Sequence, residues 1–426
     1  MFALRPSTPA VIDAGAFAAF DRRLDPTARG PLAVAFSGGG DSLAALIAAT
    51  AWAARCGRRV LALHVDHGLQ ADSRAWAGQA RRAAADLGAD FRSLAWIGDK
   101  PRTGLAAAAR AARHALIARA AREAGARVVV FGHTADDAFE AEHMRAEGSS
   151  LGRLGVWRPS PAWPAGRGVF LLRPLLAARR GALREALAAA GQAWIDDPAN
   201  DAPASARARA RRYLSAGPIA SAAPLAEDDP RVAALALAAE ARETGLIILD
   251  RETFRHAEAA AARRWLSAAL ACAGGAAGPS AASKVEALAE RLRQDAAVTA
   301  TLAGAKLQAG AHLRIARDAG AFRRAGARAN PDLNEGAVWD GRFLLPGLDA
   351  TAFSPLAGLA ARLPREQRER LRAVDAAARG GLPARVDDRG VTTCPILAEP
   401  DRGAVTCLVR SRLLAACGAI SNESQV

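Results

Sequence analysis

The chain runs to 426 residues, 51% of them hydrophobic, with a formal net charge of +14; that length suits roughly two to four domains, each able to bury a core. No stretch approaches the run of about 20 apolar residues that would cross a membrane, and MFALRPSTPAVIDAGAF lacks a basic segment ahead of an apolar block, so no signal peptide is expected. Five scattered cysteines, Cys56, Cys272, Cys394, Cys407 and Cys417, form no C-x-x-C pair, which argues against a zinc or iron–sulfur site and for a reducing cytoplasm.

Leu32–Phe36 reads as a buried strand and Leu43–Arg55 as a helix. Arg59–Val65 is strand-like, Ser73–Leu87 helical and Phe91–Ile97 a strand. Leu105–Ala124 is a long helix, Val128–Phe131 a strand and Asp136–Glu147 a helix. Strands separated by helices of this length mean crossover units and a parallel sheet covered on both faces. Val169–Leu172, a helix around Arg180–Ala190 and a strand at Trp194–Ile195 extend that α/β domain, expected over residues 1–216. GPIASAAPLAEDDP (217–230) reads as a linker. Residues 231–272 look mostly helical, with another helix at Ser283–Gln294 and strands near Lys306–Gln308 and His312–Ala316. A small, mainly helical domain is therefore expected over 217–330. The remainder, 331–426, reads as a small α+β domain, with strands around Ala337–Phe343 and Ala404–Val409 and a charged helix around Arg365–Ala378. Lysine occurs only at Lys100, Lys284 and Lys306, so the positive charge is arginine. It reflects either composition or a polyanionic partner such as nucleic acid.

The chemistry concentrates first in AVAFSGGGDSLAALI (33–47). A strand, a turn through Gly38, Gly39 and Gly40, and a helix start near Ser42 aim several backbone N–H groups at one spot. The helix terminus adds partial positive charge, and glycines admit an anion closely. Phosphate can thus be gripped without lysine. Asp41 would repel phosphate itself; its sensible task is to hold Mg²⁺ that bridges phosphate oxygens. A plain helix cap is the alternative.

Ser37-Gly38-Gly39-x-Asp41-Ser42 after a first strand resembles the PP-loop of the N-type ATP pyrophosphatases, of the adenine nucleotide alpha hydrolase type, which cleave ATP to AMP and pyrophosphate. Further segments resemble those of tRNA(Ile)-lysidine synthetases. These are LALHVDHGLQADS (61–73), AARAARHALI (108–117), FGHTADDAFEAEHMR (131–145), LLRPLL (171–176) and WIDDPANDAPASARARAR (194–211). The sequence departs from that pattern at Gln70, His114, Ala138, Ala141 and Ala199. WDGRF (339–343) resembles the C-terminal part of some members.

Each segment also has a reading in physical terms. His64, Asp66 and His67 follow the second strand, at the carboxyl end where parallel sheets bind ligands, and suit adenine, ribose or substrate. His133, Asp136, Asp137 and Glu140 have the spacing of one helix face; carboxylates so crowded need a cation, either Mg²⁺ or an ammonium. Arg110 with Arg113, and Arg207 with Arg211, are pairs suited to phosphate. The alternatives are a hydrogen-bonded turn, helix-start acids meeting the dipole, and solvated faces.

The resemblance implies an ATP- and Mg²⁺-dependent ligase that joins L-lysine to C2 of the wobble cytidine of tRNA(Ile) with anticodon CAU. It implies Ser37, Gly38, Gly39, Gly40, Asp41, Ser42 and His64 for ATP, with Asp41 also on the metal. Asp41, His133, Asp137 and Arg207 are expected at the reacting centre, with Asp137 or His133 taking the lysine proton. His67, Arg110, Arg113, Asp136, Glu140, Arg173, Asn200 and Arg211 are expected on lysine or RNA. A homodimer is left open, and no membrane association is expected. A tRNA thiolase, a GMP- or NAD-type synthetase and an inactive RNA-binding homologue are the rivals.

Overall fold

Short apolar runs such as LAVA and VVVF have no polar face to offer solvent, so they pair in the middle of a sheet covered on both sides. The computed structural model describes residues 10–68, 73–149, 152–196, 206–215, 225–226, 228–324, 337–398 and 405–426. Contacts divide the chain into two units: 1–227 with 420–426, and 228–419.

In the first unit the order is α1 (Ala10–Arg23), β1 (Leu32–Ala35), α2 (Gly40–Cys56), β2 (Val60–Asp66), α3 (Ser73–Asp86), β3 (Asp90–Ala95) and α4 (Leu105–Glu123). It continues with β4 (Val128–Phe131), α5 (Ala135–Ala146), β5 (Trp157–Pro159), β6 (Phe170–Leu172), α6 (Arg180–Ala189) and α7 (Ala206–Ser215). The sheet order is β3-β2-β1-β4-β6-β5. All neighbours are parallel except β5 on β6, with Leu32 opposite Val60 and Ala33 opposite Val129. Strand order reverses at β1, flanked by β2 and β4. The carboxyl ends of those strands therefore diverge into a crevice, where open α/β sheets bind ligands.

The strand expected at Trp194–Ile195 is corrected. The edge beside β6 is taken by β5, and the Ile195 N–H instead donates to Gly38 O (2.9 Å). Residues 194–195 thus lie over the glycine loop. Helix α1 carried no sequence expectation. The last residues also belong to this unit: Glu423 takes both terminal nitrogens of Arg58, at 2.7 and 2.6 Å, with both side chains at most 2% exposed. Trp157 Nε1 donates to Ile420 O (2.8 Å).

The second unit begins with α8 (Pro230–Ala238), capped by Asp229, whose carboxylate accepts the Arg231 N–H (3.0 Å). Then come β7 (Glu240–Ala241), β8 (Ile247–Asp250), α9 (Arg251–His256), α10 (Ala259–Gly274), α11 (Ala282–Gln294), β9 (Val298–Leu302), β10 (Ala305–Ala309) and β11 (His312–Arg317). The strands form an antiparallel sheet, β7-β8-β11-β10-β9. Residues 231–272 are mostly helical, as expected, but β7 and β8 interrupt them, which the sequence reading did not foresee. Gly245 at φ +80° turns the chain, and branched Ile247 and Ile248 favour a strand. Trp265, Leu266, Leu270, Leu292, Leu307 and Ile315 sit in one core.

A second core in the same unit gathers Trp339, Phe343, Phe353, Leu356 and Leu382. Within WDGRF, buried Asp340 accepts from Arg317 (2.9 and 3.1 Å) and from Arg342 Nε (2.8 Å). That motif is a buried ionic knot tying β11 to the segment that follows it. The linker expected at 217–230 lies outside the described residues up to Ala223 and Pro224, and Pro230 already begins α8.

Candidate active site

The glycine loop leaves β1 and turns at Gly38, where φ is +90° and a Cβ would lie 2.4 Å from Ile195 Cδ1. Both facts require glycine. Ser42 Oγ donates to Gly39 O (2.8 Å) and lies 3.1 Å from Ser37 Oγ, which accepts the Gly39 N–H (3.3 Å). The first helical bond runs from Leu43 N–H to Gly39 O (2.9 Å). The N–H groups of Gly40, Asp41 and Ser42 are therefore outside the helix ladder, at the positive end of α2. At the end of β4, a Cβ on Gly132 would stand 2.4 Å from Asp41 O, so glycine lets β4 close onto the loop.

Across that crevice α5 presents its acids. Thr134 caps the helix, and Asp137 Oδ2 reaches back to accept the Thr134 N–H (2.8 Å) and hydroxyl (3.0 Å). Asp137 and Glu140 face inward together. Asp136 faces away and accepts from Arg179 (3.2 and 3.0 Å) and the Arg180 N–H (2.8 Å), fastening the start of α6. His133 precedes α5 rather than sharing its face, a correction to the single-face reading.

Guanidinium groups are the cations among these carboxylates. Arg180 lies 2.9 Å from Asp41 Oδ2, 3.3 Å from Asp137 Oδ1 and 3.0 Å from Glu140 Oε1. Arg207 reaches Asp137 (3.5 Å) and Glu140 (3.1 Å), and Arg211 reaches Glu140 (2.8 Å). The Glu140 side chain is only 1% exposed, a burial tolerable for a carboxylate because several cations surround it. Burial pushes the Asp41 carboxyl above its ordinary value, against the Arg180 hydrogen bond. Its other oxygen, Oδ1, is buried and accepts no hydrogen bond. Burial also opposes ionisation of Asp137, but Arg207, Arg180 and the Thr134 N–H outweigh it and hold that carboxyl low.

Phe131, the last residue of β4, stacks with two imidazoles, His114 at 5.4 Å and His133 at 5.6 Å. Arg173 Nε donates to His133 Nδ1 (3.0 Å), so the neutral ring carries its proton on Nε2. Burial, then Arg173, pushes His133 well below its ordinary value. As placed, neither His133 nor Asp137 offers an uncommitted acceptor for a proton. Arg113 and Arg173 are lowered to about 10 by burial and still carry charge at neutral pH. Among the described residues no carboxylate pairs with Arg110 or Arg113, and Arg113 Nε is a buried donor without a partner. Such donors suit an anion. His64 Nδ1–H donates to Phe36 O (3.0 Å), and burial lowers its pKa. His67 meets Trp96 edge-on at 6.0 Å.

His114 yields a pH prediction. Burial, then Arg113 and Arg110, pushes its pKa down to about 3 from 6.5. A depressed folded-state pKa means stability is intact above pH 6.5 and is lost as pH falls toward the folded value. Between pH 7 and pH 5 that single group costs about 2 kcal/mol. His114→Phe should remove that share of the acid sensitivity, read from denaturant midpoints at the two pH values. Equal pH dependence in both proteins would refute the assignment.

The structure brings together Ser37 to Ser42, His133, Asp137, Glu140, Arg110, Arg113, Arg173, Arg207 and Arg211. It turns Asp136 aside, and Asn200 lies outside the described residues, as do Gln70 and Ala199. Sequence reasoning missed Arg180. Its signal was present: consecutive arginines at a helix start oppose the dipole unless carboxylates meet them. It also missed Trp194 and Ile195 as a cover on the loop.

A glycine loop at the switch point of a parallel sheet, with its acid on the first turn of the next helix, defines a PP-loop nucleotide-binding domain. Residues 16–216 match the PP-loop domain family. The tRNA(Ile)-lysidine synthase of Caulobacter vibrioides is 47% identical over 416 residues, 96% of this chain and 98% of that protein. That of Rhizobium meliloti is 33% identical over 391 residues, 86% and 82% of the two chains. That of Hyphomonas neptunium is 48% identical over 198 residues, 46% and 52%. The chain belongs to the tRNA(Ile)-lysidine synthase family.

Proposed function

We propose that the chain is a ligase that forms a carbon–nitrogen bond between L-lysine and C2 of the wobble cytidine of a tRNA(Ile) with anticodon CAU. The observation that carries this reading is the convergence of Asp41, on the glycine loop, and the buried Asp137–Glu140 pair on one guanidinium, Arg180. In the first step the cytidine O2 attacks the α-phosphorus of ATP and pyrophosphate leaves. In the second the lysine ε-amine attacks C2 and AMP leaves. Adenylylation turns a poor leaving oxygen into a good one.

The α2 terminus and the loop N–H groups would cradle phosphate, with His64 toward the nucleoside. Mg²⁺ would sit on Asp41 Oδ1, the buried oxygen without a partner, and would offset charge on the phosphate oxygens. Arg110 and Arg113, lacking carboxylate partners, would take phosphate of ATP or RNA. Asp137 and Glu140 would receive the lysine ammonium in exchange for arginine contacts. The ammonium must lose a proton before it attacks; Asp137 or His133 would accept it after giving up an arginine contact. The arginines of α7 and the overall charge would meet the RNA backbone. A thiolase reading is less supported. Burial raises the Cys272, Cys394, Cys407 and Cys417 thiols, to about 11 and 12 for Cys272 and Cys394, which disfavours thiolate chemistry there.

The deciding experiment is incorporation of labelled lysine into an unmodified tRNA(Ile) transcript with anticodon CAU, beside a CAU-bearing tRNA(Met). Incorporation into the first alone is expected. AMP and pyrophosphate released with another acceptor, and no lysine transferred, would overturn the substrate assignment.

A further inference from the structure

We propose that Tyr213, stacked on His143, is a platform for an unstacked base of the RNA beside the reacting cytidine; this rests on the RNA substrate proposed above. Tyr213 is the sole tyrosine of the chain and stands 66% exposed. Its ring lies 4.4 Å from that of His143 with 16° between the planes. One face of the phenol is therefore covered by imidazole, and the exposure belongs to the rest of the ring.

The position ties the pair to the active site. His143 is three residues beyond Glu140 on α5, one helical turn along the same side. Tyr213 lies two residues beyond Arg211, whose guanidinium holds Glu140 at 2.8 Å. The stacked pair thus sits at the rim of the carboxylate site, where the neighbour of a base inserted there would emerge. The imidazole is steadied by Glu147, 3.4 Å from His143 Nε2. A preformed aromatic pair loses little entropy when a third ring is added.

Charge selects the occupant. Helix α7 reads ARARARRYLS, with arginines at 207, 209, 211 and 212 around the tyrosine. Aromatic faces interleaved with arginine are how single-stranded RNA loops are gripped: phosphates meet the cations and splayed bases stack. An apolar protein partner would want a broader greasy face than one phenol among arginines.

The test uses the full chain and a stem-loop RNA with a CAU loop, in which the adenine next to the wobble cytidine is replaced by fluorescent 2-aminopurine. The native protein should quench the probe. Tyr213→Ala should abolish the added quenching and weaken RNA affinity about tenfold, with unchanged KM for ATP and for lysine. Tyr213→Phe and Tyr213→Trp should restore both, because stacking needs the ring and not the hydroxyl. His143→Ala should give a smaller loss, and thermal melts should show all four variants folded. Quenching and affinity unchanged in Tyr213→Ala, or lost equally in Tyr213→Phe, would overturn the platform while leaving the enzyme reading intact. If the native protein binds no RNA, the RNA reading and the platform both fail.

Discussion

Asp41→Asn should lower lysine incorporation by about 1,000-fold. The substitution keeps the size of the side chain and an oxygen that can accept from Arg180, but removes the negative charge. Under the proposed role that charge holds the cation that offsets the phosphate oxygens, an effect worth several kcal/mol, and about 4 kcal/mol is about 1,000-fold in rate. Asp41 is positioned for this by two features: Oδ2 is fixed by Arg180 at 2.9 Å, and Oδ1 is buried without a partner. Labelled lysine transfer and pyrophosphate release should fall together. A variant within tenfold of the native rate, with an ordinary Mg²⁺ dependence, would remove Asp41 from the reacting centre.

Arg180→Ala carries the second large effect, about 100-fold in rate by loss of a positioned charge pair. Arg180 bridges the glycine loop to α5, so its loss frees Asp41 while Asp137 and Glu140 keep Arg207 and Arg211. Burial already pushes the Asp41 carboxyl upward, and Arg180 supplies the main opposing influence. Without it the carboxyl takes its proton at higher pH. The acid limb of the activity profile should therefore move to higher pH, and the Mg²⁺ requirement should rise. Arg180→Lys should recover only part, since one ammonium cannot span three carboxylates as a planar fork does. A pH profile and Mg²⁺ titration identical to those of the native enzyme would show that Arg180 is structural only.

The glycine loop was legible because its meaning is local. A buried strand, glycines and a helix start in that order aim free backbone N–H groups at one spot. The same holds for the crossover pattern, which survives the blurring effect of alanine because the strands VVVF and LAVA are unbroken. The strand expected at Trp194–Ile195 failed for a non-local reason: the edge it would have joined was already filled by Trp157–Pro159. The hairpin through Gly245 was hidden because alanine-rich helices on either side set the local impression.

The sequence by itself determined the alternating α/β class and the glycine loop with Asp41, both matters of short-range pattern, and it gathered His133, Asp136, Asp137 and Glu140 in one stretch without telling that only Asp137 and Glu140 face inward together. Only the tertiary structure decided which cations answer those carboxylates. Arg180 is 139 residues from Asp41, and Arg211 is 71 from Glu140. Nothing in the spacing of an arginine-rich chain says which guanidinium will meet which acid. That choice is made by the crossing of α5, α6 and α7 around the open end of the sheet. Desolvating a carboxylate there is tolerable only where a fork of donors is already in place.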